Sequence, residues 1–132
     1  MSKLLIVDDE PATVDMLAIF LKMRGYETVA AYSGNDGLLM VSVENPDLLI
    51  LDLMMPDLEG FDVCQRLREN PQNARLPILI VSARTDQDSI NRAMSLGADG
   101  YLTKPVDLKL LHTEVQRLLE NPPSHHAASS TS

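Results

Sequence analysis

The sequence predicts an α/β protein in which a parallel sheet is covered by helices on both faces, and three observations carry that prediction. Five short apolar runs alternate with segments of helical period along the chain. The main runs are continuously apolar, as strands buried on both faces are, and do not alternate with polar residues. The clearest of them, Leu48-Leu49-Ile50-Leu51, ends on Asp52, and a loop punctuated by Pro56 and Gly60 follows. Open α/β sheets bind their ligands at the carboxyl ends of the strands, so a carboxylate at that point marks a candidate site.

Each element can be justified in order. Leu4-Leu5-Ile6-Val7 is the first strand and stops at Asp8-Asp9-Glu10. Pro11 suits the first turn of a helix, where its missing N–H is no loss. Val14, Leu17, Ala18 and Leu21 follow at helical spacing, and Gly25 ends the helix. Thr28 to Ala31 is a shorter second strand. Ser33 with Asp36 resembles a capping box that opens a helix running to about Val43, and Asn45-Pro46 breaks it. After the third strand and its loop comes a helix from about Phe61 to Glu69, broken at Asn70-Pro71. Ile78 to Val81 is the fourth strand, ending on Ser82. Asp86 to Leu96 is a helix closed by Gly97, with Ile90, Ala93 and Met94 as its apolar stripe. Gly100 to Thr103 is the fifth strand, ending on Lys104-Pro105. The last helix starts from an Asp107 cap, with Val106 and Leu111 as a hydrophobic staple and Leu108, Leu111, Val115 and Leu118 as its core face.

Composition bounds what such a chain does. Its 132 residues suit one domain, read as residues 1–120, and the 45% hydrophobic and 23% charged shares exclude disorder for most of it. A net charge of -8 argues against nucleic acid or an anionic membrane as a direct partner, because both would repel it. The lone Cys64 rules out an internal disulfide and an all-cysteine metal site, fits a reducing cytoplasm, and reads as a small buried hydrophobe on a helix. No apolar run reaches the roughly 20 residues of a membrane-spanning helix, and the N-terminus lacks the pattern of a secretory signal. Residues 121–132 are Pro, Ser, His and Ala without periodicity, expected as a disordered tail or linker, where His125-His126 is a weak metal site at best. His112 reads as solvated, Phe20 and Phe61 as core.

Five strands alternating with five helices predict right-handed crossovers, and for so short a chain a flavodoxin-like order of 2-1-3-4-5. All strand ends then share one rim: Asp8-Asp9, Asp52, Ser82 and Lys104. Singly, each is an ordinary helix cap or loop residue. Together they read as a site. Carboxylates within about 4 Å repel by about 4 kcal/mol per pair at an effective dielectric of about 20, so a cation is expected among them. Few carboxylates with room for phosphate oxygens describe Mg²⁺ better than Ca²⁺ or Zn²⁺. Lys104 and Ser82 suit phosphoryl oxygens, and the set fits phosphoryl transfer onto a carboxylate.

These residues also carry a family resemblance. Asp8-Asp9, Asp52 with Met55-Pro56 and Gly60, Ser82-Ala83 and Lys104-Pro105 resemble, in order, the motifs of the receiver domain of two-component response regulators, over about Lys3 to Leu119. The resemblance implies that Asp52 accepts a phosphoryl group from the phosphohistidine of a sensor histidine kinase or phosphotransfer protein. It implies that Asp9, Asp52 and the backbone carbonyl of Met54 ligate Mg²⁺, with Asp8 acting through water. Lys104 would pair with the phosphoryl group, Ser82 would swing toward it, Tyr101 would turn inward as the switch aromatic, and Lys104-Pro105 would be cis. The side chains of Met54 and Arg84 would flank the phosphoryl position. Without the resemblance, Tyr101 reads as a core-edge residue.

The expected function is a phosphorylation-dependent switch, not an enzyme acting on other substrates. The face of the fourth helix, fifth strand and fifth helix would signal to an output protein or domain. Kinase, output and oligomeric state, a homodimer included, are left open. The chief alternative is a receiver-like scaffold that binds without phosphorylation. A carboxylate-nucleophile phosphatase would need a second acid where Met54 stands, and a flavin-binding flavodoxin would need a Ser/Thr/Gly-rich loop after the first strand.

Overall fold

The computed structural model describes residues 1–125. Strands and helices alternate: β1 (Lys3–Val7), α1 (Pro11–Met23), β2 (Glu27–Ala31), α2 (Gly34–Glu44), β3 (Leu48–Leu51), α3 (Gly60–Glu69), β4 (Ile78–Ser82), α4 (Gln87–Ser95), β5 (Gly100–Thr103) and α5 (Leu108–Glu120). The strands form one parallel sheet in the order β2-β1-β3-β4-β5, the flavodoxin-like arrangement expected from the sequence.

The continuous apolar runs have a direct physical cause. Successive side chains of a strand point to opposite faces, and here each face meets its own helices. Leu5, Val7, Leu49, Leu51, Ile78 and Ile80 pack with Phe61, Val63 and Leu67 of α3. Leu4, Ile6, Leu48, Ile50, Leu79 and Val81 pack with Val14, Leu17 and Leu21 of α1 and Leu111, Val115 and Leu118 of α5. A strand between two such cores has no face on which to place a polar residue.

Local structure follows the caps read from sequence, with small shifts. Ser33 caps α2 by accepting the Asp36 amide, and Asp107 caps α5 by accepting those of Lys109 and Leu110. Asp86 lies just outside α4 as its cap, accepting the Ser89 amide. Asn70-Pro71, expected only to break α3, opens a short 3₁₀ turn over Pro71–Asn73, because the Asn70 side chain accepts the Gln72 amide. Phe61 is core, whereas Phe20 is half-buried beneath the Arg24 guanidinium, 4.9 Å from its ring centre. His112 is half-buried and meets the rings of Phe20 and Tyr26 edge-on, so it is a packing residue and not the solvated one expected.

The amino-terminal pole of the sheet holds a buried polar knot. Arg68, at the end of α3, donates to Gly97 O, Asn73 O and the Asp99 carboxylate, 2.8 Å away. Asp99 also accepts the Ile78 amide that starts β4. His125, read from sequence as part of an aperiodic tail, reaches this knot: Nε2 lies 2.7 Å from Asp99 Oδ1, and its amide donates to Ala74 O. Residues 126–132 of that expected tail, with His126, lie outside the described residues.

Candidate functional site

The sheet itself brings the strand-end residues together. Val7 and Leu51 are partners across β1 and β3, so the residues one step on, Asp8 and Asp52, emerge side by side. Ladder bonds continue past the strand ends and hold them: Asp8 N donates to Ala31 O, Asp52 N to Val7 O, and Lys104 N to Ser82 O. Asp8 and Asp52 are 3% and 5% exposed, while Asp9 faces solvent. One carboxylate oxygen from each of Asp8, Asp9 and Asp52 lies within 4.8 Å of the others.

Lys104 is the cation of this rim. Its Nζ donates to Asp8 Oδ2 at 2.9 Å and to Asp52 Oδ2 at 3.3 Å, and lies 3.5 Å from Glu10 Oε1. Burial opposes its charge, yet the Asp8 hydrogen bond and the charges of Asp52 and Asp8 outweigh that and raise its pKa. Asp52 is raised as well, which for an acid disfavours the charged form. Burial and then the neighbouring Asp8 charge raise its carboxyl above the ordinary range, against the Met54 amide and Lys104. One ammonium against three crowded carboxylates leaves net negative charge, so the donor set suits a hard cation. The Met54 carbonyl is a further candidate oxygen; no backbone N–H donates to it among the described residues.

The loop after Asp52 is shaped for close approach. It folds back over the strand end so tightly that a Cβ on Gly60 would lie 2.3 Å from the Asp52 carbonyl oxygen, which explains the glycine. Gly60 N donates to Leu53 O, and Leu53 and Met55 are buried while Met54 is 49% exposed.

Across the rim, Ser82 is fully buried and its Oγ accepts the Arg84 amide at 3.2 Å. Tyr101 is half-buried, and its hydroxyl donates to Arg84 O at 2.7 Å. The two side chains thus hold the backbone of one residue, Arg84, Ser82 at its N–H and Tyr101 at its carbonyl. The Arg84 side chain points to Ser89 Oγ, 3.4 Å away, along α4. The Lys104-Pro105 peptide is cis. Sequence reasoning missed Glu10 beside Lys104, and it missed Asp57, whose carboxylate accepts the amides of Gly34 and Asn35. Both contacts join residues far apart in the chain: Glu10 closes the polar stop after the first strand but meets Lys104 only through the fold, and Asp57 lies in a loop away from any strand end.

Residues 4–116 match the family described as response regulator receiver domain. The chain is 42% identical over 120 residues to the DNA-binding dual master transcriptional regulator RpaA of Synechocystis sp., an alignment covering 90% of this chain and 49% of that protein. It thus spans about half the length of the curated relatives it matches. Among solved structures, the Vibrio cholerae chemotaxis protein CheY4 is similar at 31% identity and a TM-score of 0.84, over 89% of this chain and 98% of that one. A CheY-like response regulator receiver domain protein from Methanospirillum hungatei is similar at 26% identity and a TM-score of 0.85, over 91% of this chain and 94% of that one. A match along almost the whole α/β fold, with an acidic rim at the switch point of the sheet, makes the chain a member of the receiver-domain family of two-component response regulators, whose general function is phosphorylation-dependent signalling.

Proposed function

We propose that Asp52 is the phosphoacceptor of this receiver. A carboxylate oxygen of Asp52 attacks the phosphorus of a phosphohistidine on a sensor kinase or phosphotransfer protein. The P–O bond forms as the P–N bond breaks, and the imidazole nitrogen leaves with the electron pair. The observation that carries the reading is the juxtaposition of Asp52 with Asp8, Asp9 and Lys104 on one rim, Asp52 buried and of raised basicity. Asp9, Asp52 and the Met54 carbonyl would hold Mg²⁺, with Asp8 acting through water; the ion, when bound, offsets the charge of carboxylate and phosphoryl oxygens. Lys104 moves its charge from Asp52 to the phosphoryl oxygens. Ser82 gives up the Arg84 amide and turns its hydroxyl toward them, and Tyr101, whose hydroxyl holds Arg84 O, follows inward.

Signal would leave through the face of α4, β5 and α5, to an output protein or domain. Relatives named as transcriptional regulators support a DNA-binding output attached to the receiver of this protein, while residues 1–120, carrying the domain's negative charge, make no nucleic-acid contact of their own. Such a protein works in the cytoplasm, as a switch that catalyses only its own phosphorylation and dephosphorylation. Incubation with acetyl phosphate and Mg²⁺, followed by intact mass measurement, is expected to add one phosphoryl group to the wild type and none to Asp52→Asn. A wild type of unchanged mass would favour the constitutive scaffold.

A further inference from the structure

The phosphoryl-transfer chemistry gives no task to Asp57, which stands on the exposed crest of the loop between β3 and α3. Its carboxylate nevertheless makes the polar tie between that loop and α2: Oδ1 accepts the Gly34 amide and Oδ2 the Asn35 amide, each at 3.0 Å. These N–H groups belong to the first turn of α2, which lacks intrahelical acceptors. The amides of Asn35 and Gly34 hold the carboxyl below its ordinary range, so it stays charged. α2 already has a local cap, since Ser33 Oγ accepts the Asp36 amide. The helix therefore has one acceptor of its own and one lent by the site loop. Contact is close here as well, because a Cβ on Gly34 would lie 2.5 Å from the Leu58 carbonyl oxygen. Leu53 and Met55 anchor the loop by apolar contact, which is not directional. Asp57 supplies directional bonds three residues after Met54.

We propose that Asp57 is a positioning residue for the metal site: by tying the loop crest to the N-terminus of α2, it holds the Met54 carbonyl beside Asp52 at ligating geometry. This rests on the reading of Asp9, Asp52 and Met54 as the Mg²⁺ site. Calorimetric titration of the full chain with Mg²⁺, beside denaturant unfolding of the same samples, tests it. Asp57→Ala is expected to weaken Mg²⁺ binding about tenfold, as loss of outer supports of metal sites does. Asp57→Asn, which keeps one acceptor oxygen, falls between it and wild type. Ser33→Ala, which removes the local cap of the same helix, leaves the Mg²⁺ affinity at the wild-type value. Wild-type affinity in Asp57→Ala, or equal weakening by Ser33→Ala, overturns the inference alone, provided that wild type binds Mg²⁺ and Asp52→Asn does not. A wild type that takes up no Mg²⁺ overturns both.

Discussion

Asp52 carries a charge that the fold resists. Its carboxyl is raised by burial and then by Asp8, so the folded chain holds that proton more tightly than the unfolded chain does. For an acid shifted upward, folding stability is lost as pH rises from the ordinary carboxylate range through the raised value. Asp52→Asn abolishes that loss and leaves Lys104 paired with Asp8. In the absence of Mg²⁺ near neutral pH it is expected to stabilise the chain by about 1 kcal/mol, or several degrees in Tm. The gain should shrink as pH falls to where the wild-type carboxyl is protonated. Thermal unfolding at two pH values checks this, and a gain of equal size at both would mean that the charge of Asp52 is not its origin. Asp8, Asp9, Asp52, Ser82 and Lys104 were legible in the sequence because each stands at the end of an apolar run. Asp57 was not, since it lies in a loop and its partners are 23 and 22 residues away on α2.

At the scale of elements, β5 and the segment between β4 and α4 are coupled through one backbone residue. Tyr101 holds Arg84 O and Ser82 holds Arg84 N, with Lys104 N on Ser82 O beside them. Tyr101→Phe deletes only the hydroxyl, and the bond it loses is worth about 1 kcal/mol. Amide exchange at residues 83–86 is expected to rise about fivefold while global stability moves less. Unchanged exchange there would show that Tyr101 does not restrain the segment. Element order and type were legible because short, continuously apolar runs that stop on polar residues differ from segments with an apolar stripe of period 3.6. The 3₁₀ turn at Pro71–Asn73 was not, since Asn-Pro signals that a helix stops without specifying the backbone conformation beyond it.

The whole molecule is a sheet between two cores with polar clusters at both poles. The upper cluster, at the strand carboxyl ends, is built around Lys104; the lower is the knot of Arg68, Asp99 and His125. The lower one was invisible in sequence, because Arg68 and Asp99 look like ordinary surface charges until the fold buries them at 8% and 10% side-chain exposure. Asp99→Ala strips the counterion from a buried guanidinium and the acceptor from Ile78 N. It is expected to cost about 3 kcal/mol, read as a lower denaturant midpoint. Phosphoryl uptake by the folded fraction should stay at the wild-type level, and parallel loss of both would tie the poles together. Ser2 and Pro122 line the same hollow beside that lower pole. A surface anchor or fused reporter joined near either residue would therefore hang the molecule upside down, with the acidic rim presented outward and open to an approaching donor.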